Sequence, residues 1–253
     1  MALILRKCQE NGFSSNNFYY GKAGEIATAP DWDPKPECGN GLHGLLEGNG
    51  NWSLVVGFSW LVIEAKTEDI VEIDDQKCKF RTGKILFHGS TEELRNSEFP
   101  RMFNNLNSSA AYNWARSIGN NDIMMHKITD SEYALYWGTN IGNKDVMVQK
   151  INSEYAYLWA RNVGNRDVMM DKINNSYDAY YWAVNIGNHD VMMHKITDSY
   201  WAYQWALDIG NHDVMKSKVT NPKHISCWNV SFPNNKISIF KKLYYSILEK
   251  FGE

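Results

Sequence analysis

The sequence predicts an α+β chain with two architectures in series. A small β-rich head over residues 1–98 precedes an α-solenoid of short helical hairpins over 99–221, and a degenerate unit with a capping helix closes the chain over 222–253. Three observations carry this reading. A unit of 22–23 residues recurs five times between Ser108 and Asn221. Ahead of it, β-branched and aromatic runs sit between turn signals. After it, Trp228 keeps the register of a sixth unit while Pro233 takes the place of a glycine.

In the head, Leu3–Leu5, Trp60–Ala65, Asp69–Ile73 and Lys84–His88 read as strands, with Arg81–Lys84 as a turn within or before the last of them. From Ala29 to Asn51 the composition shifts to Pro, Gly, Asn and Asp, which predicts a long shaped loop. Its glycines Gly39, Gly41 and Gly44 read either as turn hardware or as the lining of a pocket with His43 at its mouth.

Ser97 to Asn107 reads as a leading cap, with Met102 and Leu106 where the unit expects Met and Ile. The five full units align on Trp114, Trp137, Trp159, Trp182 and Trp205. Relative to that Trp, every copy has Ser at minus six, Ala at minus three, Gly-Asn at plus five and six, Asp at plus eight, Met at plus ten and Lys at plus thirteen. In the second copy Ala134, Trp137, Gly138 and Ile141 follow helical i, i+3, i+4, i+7 spacing. Tyr133 and Leu135 widen the apolar arc to about 200°, which suits a helix covered on both flanks.

Asp130 or Ser131 is expected to cap that helix, Gly142 to end it, and Asn143 to cap a second helix that turns Val146, Met147 and Ile151 inward. Helices of about 11 and 8–9 residues follow. The recurrent Asp and Lys sit where they offset the dipole of the second helix, for about 0.3–1 kcal/mol each. A unit this short cannot close its own core, so neighbours have to stack. Beyond Pro233 the register continues through Asn234, Ile237 and Lys241, and a capping helix is expected over roughly Asn235 to Phe251.

A net charge of −3 gives no default attraction to nucleic acid or anionic membrane. Cys8, Cys38, Cys78 and Cys227 form no CxxC pair, so free thiols in a cytoplasmic setting are expected. The most apolar stretch, Leu54 to Ala65, is too short to span a bilayer. No Walker loop, HExxH, GxSxG or zinc-finger spacing occurs, and neither a metal site nor a resident cofactor is expected.

Exposed positions vary between copies while buried ones repeat. This marks Tyr136, Lys144, Arg166, Tyr181, His189 and His212 as candidate contacts to a protein partner. The head would offer a second ligand or partner site. A blander reading gives the helical units only a capping or homo-oligomerising role.

The run Asp31–Leu46 (DWDPKPECGNGLHGLL), followed by WLVIEA, DIVEID and KCKFRTGKILFHGS, resembles an uncharacterised bacterial and phage-associated domain over about residues 2–90. That resemblance implies a fold unit and no activity. The order Arg6, His43, Glu64, with Phe87-His88-Gly89-Ser90, is similar to ADP-ribosyltransferases. The likeness implies, as an alternative function, an NAD- or nucleotide-binding enzyme with those three residues catalytic and the helical units as its targeting arm.

Overall fold

A computed structural model describes residues 1–14 and 17–233. The head is an antiparallel sheet of seven strands: β1 (Ala2–Cys8), β2 (Ile26–Thr28), β3 (Leu42–Leu46), β4 (Ser59–Ala65), β5 (Ile70–Ile73), β6 (Lys77–Phe80) and β7 (Thr82–Gly89). Their spatial order is β2-β7-β4-β1-β3-β6-β5. Ala27, near one edge, and Cys78 and Phe80, near the other, share one buried cluster with Ile4, Leu61 and Ile85. A flat sheet could not bring them together, so this one curls around its own core as a half-barrel. The bulge where Val62 opposes Phe87 but Ile63 opposes Ile85 leaves Leu86 extra on β7 and tightens the local twist.

Four of these strands match apolar runs in the sequence, and three do not. The expected loop over Ala29–Asn51 is interrupted by β3. Strand β3 packs there because Gly44 has no side chain: a Cβ at that position would lie 2.3 Å from Ile4 Cγ2. The expected Arg81–Lys84 turn shrinks to Arg81, which bridges outward through Arg81 N to Asp69 O (3.2 Å) and Ala29 N to Arg81 O (2.8 Å).

The helices follow in chain order: α1 (Thr91–Asn96), α2 (Phe99–Met102), α3 (Ser108–Ser117), α4 (Asn121–Met124), α5 (Ser131–Asn140), α6 (Lys144–Met147) and α7 (Ser153–Asn162). Then come α8 (Arg166–Lys172), α9 (Ser176–Asn185), α10 (His189–Lys195), α11 (Ser199–Asp208), α12 (His212–Lys218) and α13 (Pro222–Ser231). Two compact units result, Met1–Lys150 and Ile151–Glu253. In the first, the outer face of the sheet packs on helices: Trp52 lies 5.9 Å from Trp60 and 6.1 Å from Trp114, ring to ring. Arg95 Nε donates to Ile118 O (2.5 Å), and Asn49 both donates to Asn105 O and accepts from Asn107 N, each at 2.9 Å. The leading cap buries Leu106 as expected, but Met102 is 40% exposed and Phe103 fills the space instead.

Each copy of the sequence unit forms a ten-residue helix and a shorter second one. All five aligned Trp rings are completely buried, as are the Met residues at plus ten. Val146, expected inward, is 37% exposed, as are its counterparts Val168, Val191 and Val214 in similar measure. The connection also differs from expectation. Gly142 has φ +125°, but the left-handed residue is Asn143, at φ +50° and ψ +43°, and its side chain does not cap α6. It donates instead to Met125 Sδ at 3.0 Å, and Asn188 and Asn211 do the same to Met170 (3.3 Å) and Met193 (3.0 Å). Asp130, not Ser131, caps α5, accepting from Glu132 N and Tyr133 N.

The invariant Lys residues tie successive copies together, and the invariant Ser holds the end of its own copy in place ahead of the next helix. Ser176 Oγ accepts from Thr197 N (2.8 Å) and Asp198 N (3.0 Å), the last residues of its copy, just before α11. Ser108 and Ser199 do likewise toward Thr129 and Asp130 and toward Thr220 and Asn221. Lys150 Nζ donates back to Met125 O and Ile128 O, and Lys218 Nζ to Met193 O and Ile196 O. Lys172 and Lys195 reach Ile151 O and Ile173 O in the same way, and Lys127 reaches Asn104 O in the leading cap. These lysines therefore close the open carbonyl ends of the preceding copy rather than merely offsetting a dipole. In the sixth unit Trp228 is buried on α13; Asn234, Ile237, Lys241 and the expected capping helix lie outside the described residues.

Candidate functional site

The pairing of β1 with β3 stops early. Ile4 opposes Leu46 and Leu5 opposes Leu45, but Arg6–Cys8 continue only along β4, and Leu42–Gly44 only along β6. The sheet therefore splits between β1 and β3, and a cavity of about 610 Å³ opens there. A third wall comes from the segment between β3 and β4, held against β1 by Phe58 N donating to Cys8 O at 2.8 Å. Gly57 makes this approach possible: its φ is +142°, and a Cβ would fall 2.5 Å from Cys8 O.

Strand alternation sorts the side chains. Residues opposite each other share a face, so Leu5, Lys7, His43, Leu45, Lys77 and Lys79 lie on the outer face, whereas Arg6 lies with the inner core. Arg6 Nη1 still crosses the split to His43 O at 2.5 Å, with its guanidinium 4.6 Å from the Tyr20 ring centre. Lys7 Nζ sits 4.6 Å over the Trp60 ring, and partial burial lowers its pKa. Lys79 is fully buried, donating to Glu37 O at 3.1 Å.

Beside Lys7, three more titrating groups of the lining are shifted: His43, Cys38 and Cys8. Burial first, then Lys77 and Arg6, push His43 down to about 4, so its ring is neutral near pH 7. Lys77 Nζ donates to Cys38 Sγ at 3.0 Å and lowers the thiol pKa, which favours thiolate at an exposed position. The buried thiols behave oppositely, Cys8 raised to about 11 and Cys78 to about 12 by desolvation. All four cysteines are free.

Arg6 and His43, two of the three catalytic candidates, thus meet at this cavity. Glu64 does not: it opposes Leu3 on β4, three residues along and on the other face from Arg6, and it is absent from the lining. Composition flagged the Gly-rich segment, Cys38 included, but gave no sign of Lys7 or Lys77, because only the strand register brings them across from His43.

The partner candidates fall in three environments. Tyr136 is 40% exposed in a cluster with Tyr112 and Tyr133, and its hydroxyl donates to Glu132 at 2.7 Å. Tyr181 belongs to a larger cluster, 4.6 Å from Tyr177, 5.2 Å from Tyr180 and 5.8 Å from Trp201. Lys144 and Arg166 are exposed at the starts of α6 and α8. His189 and His212 are already engaged: each Nε2 lies 3.0 Å from the carbonyl of Ala183 or Ala206, and each ring edges onto the next Trp.

Among the described residues no group of three His, Cys, Asp or Glu could hold a metal ion, and no helix is long and apolar enough to cross a membrane. No family model, curated protein or solved structure matches the chain.

Proposed function

We propose that the helical copies stack as an α-solenoid and bind a protein partner through the exposed surface of their first helices, with the head as a second ligand site. The aromatic cluster on α9 and α11 carries this reading. Tyr177 and Tyr200 stand 51% and 43% exposed, their rings continuous with Tyr180, Tyr181 and Trp201. Rigid aromatic side chains are the usual anchors of protein interfaces. A carboxylate borders them: Asp208 accepts from Tyr180 Oη at 2.5 Å. Such a surface suits a segment carrying Arg or Lys, which can stack on the rings and pair with the acid. The recurring Lys ties support stacking, since each satisfies carbonyls that the preceding copy alone would leave open.

The test uses the full-length chain as bait. Tyr177→Ala, Tyr200→Ala and Tyr181→Ala are each expected to reduce partner capture, while Lys35→Ala in the head leaves it unchanged. The reading fails if every captured partner ignores these changes and is lost only on substitutions in the head.

A further inference from the structure

We propose that the split between β1 and β3 binds a small amphipathic anion: a carboxylate or phosphate carried on a hydrocarbon or aromatic body. The site is independent of the helical surface proposed above. Its volume of about 610 Å³ falls within the range of about 300–1,000 Å³ typical of small-molecule pockets.

Three features fix the chemistry. The lining carries the cations Arg6, Lys7 and Lys77 and contains no Asp or Glu, so the potential inside is positive. One wall is apolar: Leu54, Val56 and Phe58 are 46%, 66% and 70% exposed, large hydrophobic side chains standing in water beside those cations. Apolar surface of this kind next to charged groups marks interaction sites. Finally, Arg6 Nε and His43 Nε2 have no hydrogen-bond partner in the protein. A guanidinium N–H can only donate, so its missing partner is an acceptor.

An acid group between Lys77 and the β1 cations would supply that acceptor, while its apolar body covers Leu54, Val56 and Phe58. A bare anion leaves the apolar wall wet, and a neutral hydrophobe leaves the cations unpaired. Both halves of the ligand are needed.

Full-length protein is titrated calorimetrically with decanoate and octyl phosphate below their micelle concentrations, with decanol and inorganic phosphate as controls. Alkylation of Cys38 by iodoacetamide is followed in parallel. One or both amphiphilic anions should bind and slow Cys38 alkylation, and the preferred headgroup separates a carboxylate from a phosphate source. Lys77→Met and Phe58→Ser, both at solvent-accessible positions, should each weaken binding about tenfold, the equivalent of one good contact. The proposal is overturned if neither amphiphile gives heat or protection, if binding ignores both substitutions, or if decanol or inorganic phosphate binds as tightly.

Discussion

Ser176 holds two backbone N–H groups at the end of its own copy with a single buried hydroxyl. Removing it takes the acceptor from both donors, so Ser176→Ala should cost about 1–2 kcal/mol in urea unfolding. Ser217→Ala, at an exposed position on α12, should stay within about 0.5 kcal/mol. Cys38 offers a pH-dependent counterpart. Its thiol pKa is lowered by Lys77, so the thiolate persists to lower pH than an ordinary cysteine allows. The pH midpoint of Cys38 alkylation should lie below 9.0 and rise in Lys77→Met, while Cys8 and Cys78 stay unreactive in folded protein. The aligned Trp residues have a different role. None of the five buried indole N–H groups has a hydrogen-bond partner in the protein, so these rings supply volume rather than polar anchorage.

At the scale of elements, two positions show what the backbone demands. Strand β3 can pair with β1 only because Gly44 is a glycine; a Cβ there also meets Leu5 O at 3.0 Å. Gly44→Ala should destabilise the head by about 1–3 kcal/mol and, by pushing β3 away, perturb the cavity beside it. Asn188 sits at φ +55° between α9 and α10 with open space around its glycine neighbour Gly187. Asn188→Ala should cost about 1–2 kcal/mol, because alanine tolerates the left-handed region poorly; Asn188→Gly should be nearly neutral. Thermal denaturation of the pair separates backbone strain from loss of the contact to Met170. The helix pattern was readable from Trp137 and its neighbours because burial follows the 3.6-residue period. The inward placement assigned to Val146 was not, since the four-residue α6 turns too few residues inward for periodicity to choose between Val146 and Met147.

At the scale of the molecule, the chain divides near residue 150, not at the end of the β-rich composition. The first copy packs on the head through Trp52, Trp60 and Trp114. Trp182→Ala should remove about 3–5 kcal/mol of packing from the second unit alone. Limited proteolysis of that variant should then open sites beyond residue 150 first and leave a resistant fragment near the size of Met1–Lys150. Cleavage spread evenly along the chain would show instead that the two units unfold together.

The sequence by itself determined the β-rich head, the paired helices and the buried Trp ladder, because these depend on local periodicity and on spacing that recurs within one unit. It also singled out Arg6 and His43. Only the tertiary structure decided that Lys77 and Cys38 face them, that Glu64 does not, and that each invariant Lys serves the copy before it while each Ser holds the end of its own. Those facts rest on strand register and on contacts between residues about 20–70 positions apart, distances over which no local pattern carries information.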